Sequence, residues 1–209
     1  MLIFDEVVSG FRYALGGASE LYNVVPDLAS LGKGMGNGFA ISAVAGKTQI
    51  MNLIEEGVFV STTFGGDAVG MAAALATISI LERPGFYEYI WKLGTKMRDG
   101  LAGLIAKHGL EQVVSVSGLA PHCGLSFEGV GSLTYLDVQS IYSQVMVENG
   151  ILVFAICNLN ASHTEQDIDC YLDATDKAFG LIRRAMEQDS LAGILLGGNV
   201  DPVFKRNIK

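Results

Sequence analysis

Between Ser30 and Gly38 every second residue is glycine: Gly32, Gly34, Gly36 and Gly38 alternate with Lys33, Met35 and Asn37. Such a stretch loses too much backbone entropy to persist as helix or strand. It must be a turn whose bare backbone can take left-handed conformations and come close to something flat. One long polar side chain, Lys33, stands in the middle of it. Upstream, the apolar run Leu2-Ile3-Phe4 ends in the carboxylates Asp5 and Glu6.

The chain of 209 residues is long enough for one large domain or two small ones. Residues 2–4 predict a short strand ending at Asp5, and residues 9–30 read as irregular, punctuated by Gly10, Gly16, Gly17 and Pro26. A second small strand is expected from Ile41 to Ala45, a helix from Lys47 to Glu56, and an extended piece at Val58-Phe59-Val60. The loop ending at Gly65-Gly66 leads to a helix from about Asp67 to Glu82, stopped by Arg83-Pro84-Gly85. Ile90, Leu93, Met97, Leu101, Leu104 and Ile105 recur at helical spacing and predict a helix over 86–108, with Gly109 at its C-terminal cap. Strands are expected at Val113–Val116 and Cys123–Phe127 around a turn at Gly118–Pro121, a helix at Val138–Glu148, and a strand at Ile151–Phe154. Thr164-Glu165-Gln166-Asp167 has the form of a capping box and opens a last helix running past Met186. The tail from Ser190 is rich in Gly and Leu and then basic. This order implies an α/β portion over 1–84, a smaller α+β unit over 85–189 joined through the long helix, and a tail over 190–209.

A formal net charge of −8 with only scattered basic pairs excludes a phosphate-neutralising face, so no nucleic-acid partner is expected. No apolar run reaches the length of a membrane span, and no secretory leader pattern is present. Cys123, Cys157 and Cys170 are odd in number and far apart, which reads as reduced thiols in a cytoplasmic protein. No Cys or His pair has zinc-ligand spacing, so no metal is expected. Met1-Leu2-Ile3-Phe4 resembles the middle of a buried strand, and the expectation is that the N-terminal part of a longer protein is missing.

Several residues are candidates for chemistry. Asp5 at a strand end can hold a proton on a heteroaromatic nitrogen; the plainer reading is that Asp5-Glu6 is a solvated pair. Lys33, flanked by glycines, can form a Schiff base with an aldehyde; the plainer reading is a surface lysine on a loop. An acid and an amine of this kind are the two polar groups that pyridoxal phosphate chemistry requires. Val7 is spaced to pack on the face of the same ring. Ser61-Thr62-Thr63 before a helix N-terminus suits an anion such as phosphate, or is an ordinary capping loop. Gly46-Lys47-Thr48 ends like a nucleotide-binding loop, but position 41 is Ile where that motif needs glycine. His108, His122 and His163 have no Ser or Cys partner at a hydrolase spacing.

Four segments together resemble the class-III, fold-type-I aminotransferases, in the branch of the glutamate-1-semialdehyde aminomutases: Leu2-Ile3-Phe4-Asp5-Glu6-Val7-Val8-Ser9-Gly10-Phe11-Arg12; Pro26-Asp27-Leu28 leading into Leu31-Gly32-Lys33-Gly34; Thr62-Thr63-Phe64-Gly65-Gly66 before an Ala-rich helix; and Ser162-His163-Thr164 before the last helix. The tail over 202–207 is weakly similar to relatives from bacterial surface-sugar pathways. The resemblance implies an α/β fold, with part of the PLP-binding large domain followed by a small α+β C-terminal domain. It implies pyridoxal 5′-phosphate as cofactor, Lys33 as the Schiff-base lysine and proton carrier, Asp5 as partner of the pyridine nitrogen, and Val7 against the ring. Thr63 would reach the cofactor phosphate of the neighbouring subunit in a homodimer. The implied activity is amino-group transfer between a small-molecule amino donor and a carbonyl acceptor.

The chain departs from that family in lacking the N-terminal half, which supplies a glycine-serine phosphate loop, a ring-stacking aromatic and substrate contacts. The semialdehyde aminomutases also carry a gating acid before the Ser-His-Thr segment, whereas Ala155-Ile156-Cys157-Asn158-Leu159-Asn160 has no carboxylate. Transfer is therefore expected ahead of the alternatives, an aminomutase or a non-catalytic domain that depends on a partner, and the fragment alone is expected to be inactive and poorly soluble.

Overall fold

A computed structural model describes residues 1–63, 65–153 and 156–198. The chain divides into two compact units, Met1–Tyr89 and Ile90–Lys209.

The first unit is built on a three-stranded sheet in the order β1 (Ile3–Glu6), β2 (Leu28–Leu31), β3 (Ala43–Gly46). β1 and β2 are parallel, with Asp5 opposite Ser30 and Glu6 opposite Leu31; β2 and β3 are antiparallel. The expected strand at 2–4 therefore carries Asp5 and Glu6 inside it, and the expected strand at 41–45 lies two residues later at its start. Residues 9–30, expected to be irregular, contain α1 (Gly17–Leu21) and the first three residues of β2. Five residues are too few for α1 to show a helical period, and Leu28-Ala29-Ser30-Leu31 has none of the β-branched bulk that marks a strand.

Asp27 ties the starts of β1 and β2 to the end of β3. Its carboxylate accepts from the Leu2 amide at 2.6 Å and pairs with Lys47 Nζ at 2.6 Å. Lys47, though exposed, thus anchors the end of β3. Instead of one helix over 47–56, the chain forms α2 (Thr48–Met51) and a 3-10 turn over Asn52–Ile54, and Val58-Phe59-Val60 is not in a strand. α3 (Ala68–Leu81) is capped by Asp67, whose carboxylate accepts from the Gly70 amide at 2.7 Å.

The second unit holds the larger core. α4 (Phe86–His108) carries Leu93, Met97, Leu101 and Ile105 on one buried stripe, at the spacing the sequence shows, and Gly109 follows it with φ of 63°. The hairpin β4 (Val114–Leu119) and β5 (His122–Phe127) runs into the segment expected to be a turn, because Gly118 stays in the ladder opposite Cys123. α5 (Tyr135–Glu148) begins three residues earlier than expected. A capping box between Thr134 and Asp137 defines that start, and the β-rich look of Leu133-Thr134-Tyr135 hides it. α6 (Glu165–Gln188) opens on the Thr164–Asp167 capping box that the sequence shows. Ile151, Leu152 and Val153 are not in a strand, and Phe154 lies outside the described residues, as do Ala155, Phe64 and the basic tail.

Between these helices lies a buried hydroxyl network. Tyr142 donates to the Tyr171 hydroxyl at 2.7 Å, and Thr175 Oγ1 donates to the Tyr171 carbonyl at 2.9 Å. Burial pushes the Tyr142 phenol up to about 12 and raises the Tyr171 phenol as well.

Candidate active site

Parallel pairing sends the carboxyl ends of β1 and β2 to the same edge of the sheet, the edge where open α/β sheets place their ligands. Asp5 sits one residue before the end of β1, and Lys33 two residues beyond the end of β2. The alternation of β1 separates its two carboxylates onto opposite faces. Asp5 is exposed on the face it shares with Ser30; its Oδ1 accepts from the Val7 amide at 3.1 Å and from Ser30 Oγ at 3.3 Å. These two donors hold the carboxylate at the sheet edge with its other oxygen available.

Glu6 is the opposite case, and the reading of Asp5-Glu6 as a solvated pair fails on it. Glu6 is 2% exposed. Its oxygens accept from Ser9 Oγ, from the Ala18 amide at 3.0 Å, and from the Ser19 amide and hydroxyl at 2.8 and 2.9 Å. Burial alone would raise its pKa; the hydrogen bonds from Ser9, Ala18 and Ser19 outweigh that and hold it below the ordinary value. Glu6 therefore fixes the first turn of α1 to the end of β1. Gly17 completes the joint: with φ of 64°, any Cβ there would sit 2.6 Å from Glu6 Oε2.

Lys33 opens a 3-10 turn, is exposed, and has φ of 42°. A Cβ at Gly34 or Gly38 would meet nothing, so the approach on those sides is open. A Cβ at Gly36, by contrast, would lie 2.5 Å from Ile41 Cγ2, so that glycine is required by packing. A Cβ at Gly32 would lie 3.7 Å from Val7 Cγ1, which places Val7 against the base of the lysine turn. A cavity of about 450 Å³ borders Lys33 and is lined by Arg12, Gly34, Asn37, Gly38, Phe39 and Ala40 as well. Asp5, Val7 and Thr63 do not line it. Asp5, Val7 and Lys33 are thus gathered at one sheet edge, whereas Thr63 is exposed on the loop before α3. The anion expected at that helix N-terminus has a competitor in the Asp67 carboxylate.

Arg12 is the residue that sequence reasoning leaves without a role. The signal was present, an arginine in the turn after the apolar strand, but nothing in its spacing points toward Lys33. A cavity of about 430 Å³ in the second unit is mostly apolar. The one carboxylate lining it, Asp167, is engaged by the Thr164 amide and hydroxyl at 2.7 and 2.8 Å, so the cavity holds no free acid–amine pair. The histidines have structural contacts: His108 Nε2 lies 2.6 Å from Asp176, His122 Nδ1 lies 2.6 Å from the Asn158 side-chain oxygen, and His163 Nδ1 accepts from the Asn160 amide. Among the described residues no cluster of His, Cys, Asp or Glu could hold a metal ion, and no helix is long and apolar enough to cross a membrane.

The model of the family described as aminotransferase class-III matches residues 1–159, and the chain belongs to that family. It is 34% identical over 191 residues to glutamate-1-semialdehyde 2,1-aminomutase 2 of Brevibacillus brevis, a match covering 85% of this chain and 44% of the relative. A solved transaminase with PLP bound superposes with a TM-score of 0.80 at 23% identity, over 88% of this chain and 45% of that one. The FumI protein of Sphingopyxis sp. MTA144 superposes with a TM-score of 0.76 at 28% identity, over 88% and 44%. The fold is the α/β fold of these fold-type-I enzymes, and the chain spans about half the length of the relatives it matches.

Proposed function

We propose that this chain is the lysine-bearing part of a pyridoxal phosphate-dependent class-III aminotransferase, which moves an amino group from a small-molecule donor to a carbonyl acceptor. The observation that carries this is the parallel register of β1 and β2, which delivers Asp5 and the Lys33 turn to one edge of one sheet. The residues there fit the cofactor: an exposed acid steadied by two donors, an amine on a backbone with open flanks, and an apolar side chain beneath the turn. When bound, pyridoxal phosphate supplies a carbonyl that takes up amines and a ring that withdraws electrons.

Lys33 Nζ would hold the cofactor through its carbonyl carbon, leave when the donor amine arrives, and carry a proton between the substrate carbon and the cofactor. Asp5 would keep the proton on the ring nitrogen, and Val7 would press on the ring face. Thr63 would reach the phosphate across the interface of a homodimer. The division of the chain fits this reading: residues 1–84 would belong to the cofactor-binding domain and 85–189 to the small domain, with 190–209 as a tail. We place the protein in the cytoplasm.

The test is borohydride reduction of the intact protein after addition of pyridoxal phosphate, followed by peptide mapping. The cofactor is expected on Lys33, and the Lys33→Ala protein is expected to carry none. An undiminished adduct in Lys33→Ala refutes the assignment. An aminomutase is the second reading, favoured by the names of the relatives; it would isomerise one substrate with no added acceptor.

A further inference from the structure

β5 pairs with β4 on one side and meets residues 156–159 on the other, and that second contact brings two thiols together. Gly124 forms an antiparallel bridge with Ile156. The Cys157 amide donates to the Cys123 carbonyl at 2.8 Å, and the Leu159 amide donates to the Pro121 carbonyl at 3.2 Å. The register these contacts fix sets Cys157 directly opposite Cys123, and opposed residues of an antiparallel pair share one face. That face is the core: Cys123 is fully buried, and Cys157 packs against the same apolar cluster. Cα atoms in a hydrogen-bonded pair of this kind stand about 5.5 Å apart, within the roughly 4.4–6.8 Å that a disulfide bridges. Both thiols are free in the structure.

The two differ in what can reach them. Cys157 lines the cavity of about 430 Å³ in the second unit, and Cys123 does not. Burial raises both thiols, Cys123 to about 11. At Cys157 the Tyr171 hydroxyl, 3.6 Å from Sγ, offsets part of that rise.

We propose that Cys123 and Cys157 form a modification site that small disulfides close into an intramolecular disulfide, with Cys157 attacking first and Cys123 resolving. The Cys157 thiolate attacks one sulfur of the small disulfide; that S–S bond breaks and one small thiolate leaves. The Cys123 thiolate then attacks Cys157 Sγ in the mixed disulfide, and the second small thiolate leaves. The two cysteines are oxidised, the small disulfide is reduced to two thiols, and the cysteine protons end on them. Scarce thiolate makes the exchange slow, so the site records sustained oxidation and not a brief pulse. The product ties residues 156–159 covalently to β5 at the cavity wall.

Reduced, intact wild-type and Cys170→Ala proteins are incubated with hydroxyethyl disulfide, quenched with acid and maleimide, and mapped by non-reducing peptide mass spectrometry. Both are expected to yield a Cys123–Cys157 cross-link, lighter by two hydrogens and reversed by dithiothreitol. In Cys123→Ser the mixed disulfide on Cys157 is expected to persist at least tenfold longer than in the wild type; equally prompt loss overturns the resolving role. A cross-link of Cys157 to Cys170, mixed disulfides without an internal bond in Cys170→Ala, or a bond that forms only in urea overturns the proposal. If Cys123→Ser does not fold, phenylarsine oxide, which bridges paired thiols, decides on Cys170→Ala. One equivalent added to the native protein is expected to shield both remaining thiols from maleimide added on unfolding, and unshielded labelling overturns the proposal.

Discussion

Glu6 lies next to a catalytic candidate, and the structure gives it a different task that can be measured. Replacing it with Ala leaves the amides of Ala18 and Ser19 without an acceptor inside the joint between β1 and α1. Each buried donor left unsatisfied costs about 1–3 kcal/mol, so the pair costs roughly 2–6 kcal/mol before relaxation. Water admitted at the rim of α1 recovers part of this, and about 3 kcal/mol is expected. Glu6→Gln keeps the shape and one oxygen. The Ser9 and Ser19 hydroxyls can turn to accept from the new amide, but one backbone amide must face an NH₂ group, for an expected cost of about 1–2 kcal/mol. The assay is urea unfolding of the intact protein, read as a midpoint shift at constant slope. A Glu6→Gln protein within about 0.5 kcal/mol of wild type would show that the carboxylate does not hold the joint.

The same residue fixes a pH dependence. Because the native carboxylate is depressed below its unfolded value, its contribution is present above the unfolded pKa of about 4.3 and is lost as pH falls through the lower native value. The stability gap between wild type and Glu6→Gln is therefore expected to be flat near neutrality and to close only in acid. A gap that closes between pH 6 and 8 contradicts the assignment of the hydrogen bonds.

Two further outcomes test the second unit. A Cβ at Gly94 would overlap the Ala120 carbonyl, a backbone atom that cannot swing aside, so Gly94→Ala is expected to cost about 1–3 kcal/mol by prying α4 from the β4–β5 turn. Thr134→Ala removes the hydroxyl that caps α5 and one donor to the buried Asp137, and should cost about 1–2 kcal/mol in thermal unfolding, while Thr134→Ser should cost little.

The parts of this fold that could be read from the residues are those with a repeat long enough to see. The α4 stripe of Leu93, Met97, Leu101 and Ile105 spans several turns, and its bounds follow. The Thr164 capping box marks α6 without any structure. β2 was invisible, because four small or leucine residues carry no pattern and its pairing is made by a parallel neighbour twenty-five positions away. The site divides in the same way. Lys33 announces itself through its glycines, and Asp5 through its position at the end of an apolar run. Arg12 does not, since what joins it to Lys33 is a cavity wall, and no spacing rule relates a turn after β1 to a turn after β2. Glu6 and Asp5 look alike in sequence; the strand's two-residue period sends one into hydrogen bonds and leaves the other at the edge.

Burial is distributed very unevenly between the site and the rest of the chain. Among the described residues of the first unit, Met35 and Ala74 are the apolar side chains that are buried, whereas α4, α5 and α6 share a continuous core. α3 sharpens the point. Its residues from Ala68 to Leu81 are apolar on every side, the composition of a helix surrounded by protein, yet Val69, Met71, Leu75 and Ile80 are exposed. A sheet edge bearing Asp5 and Lys33 can be held in register by polar joints, and Asp27 and Glu6 supply them. Such joints specify geometry at small net gain, since each exchanges water for protein. The second unit's apolar core provides burial that the first unit's described residues do not, so loss of one polar joint should disturb the candidate site well before it disturbs α4, α5 and α6.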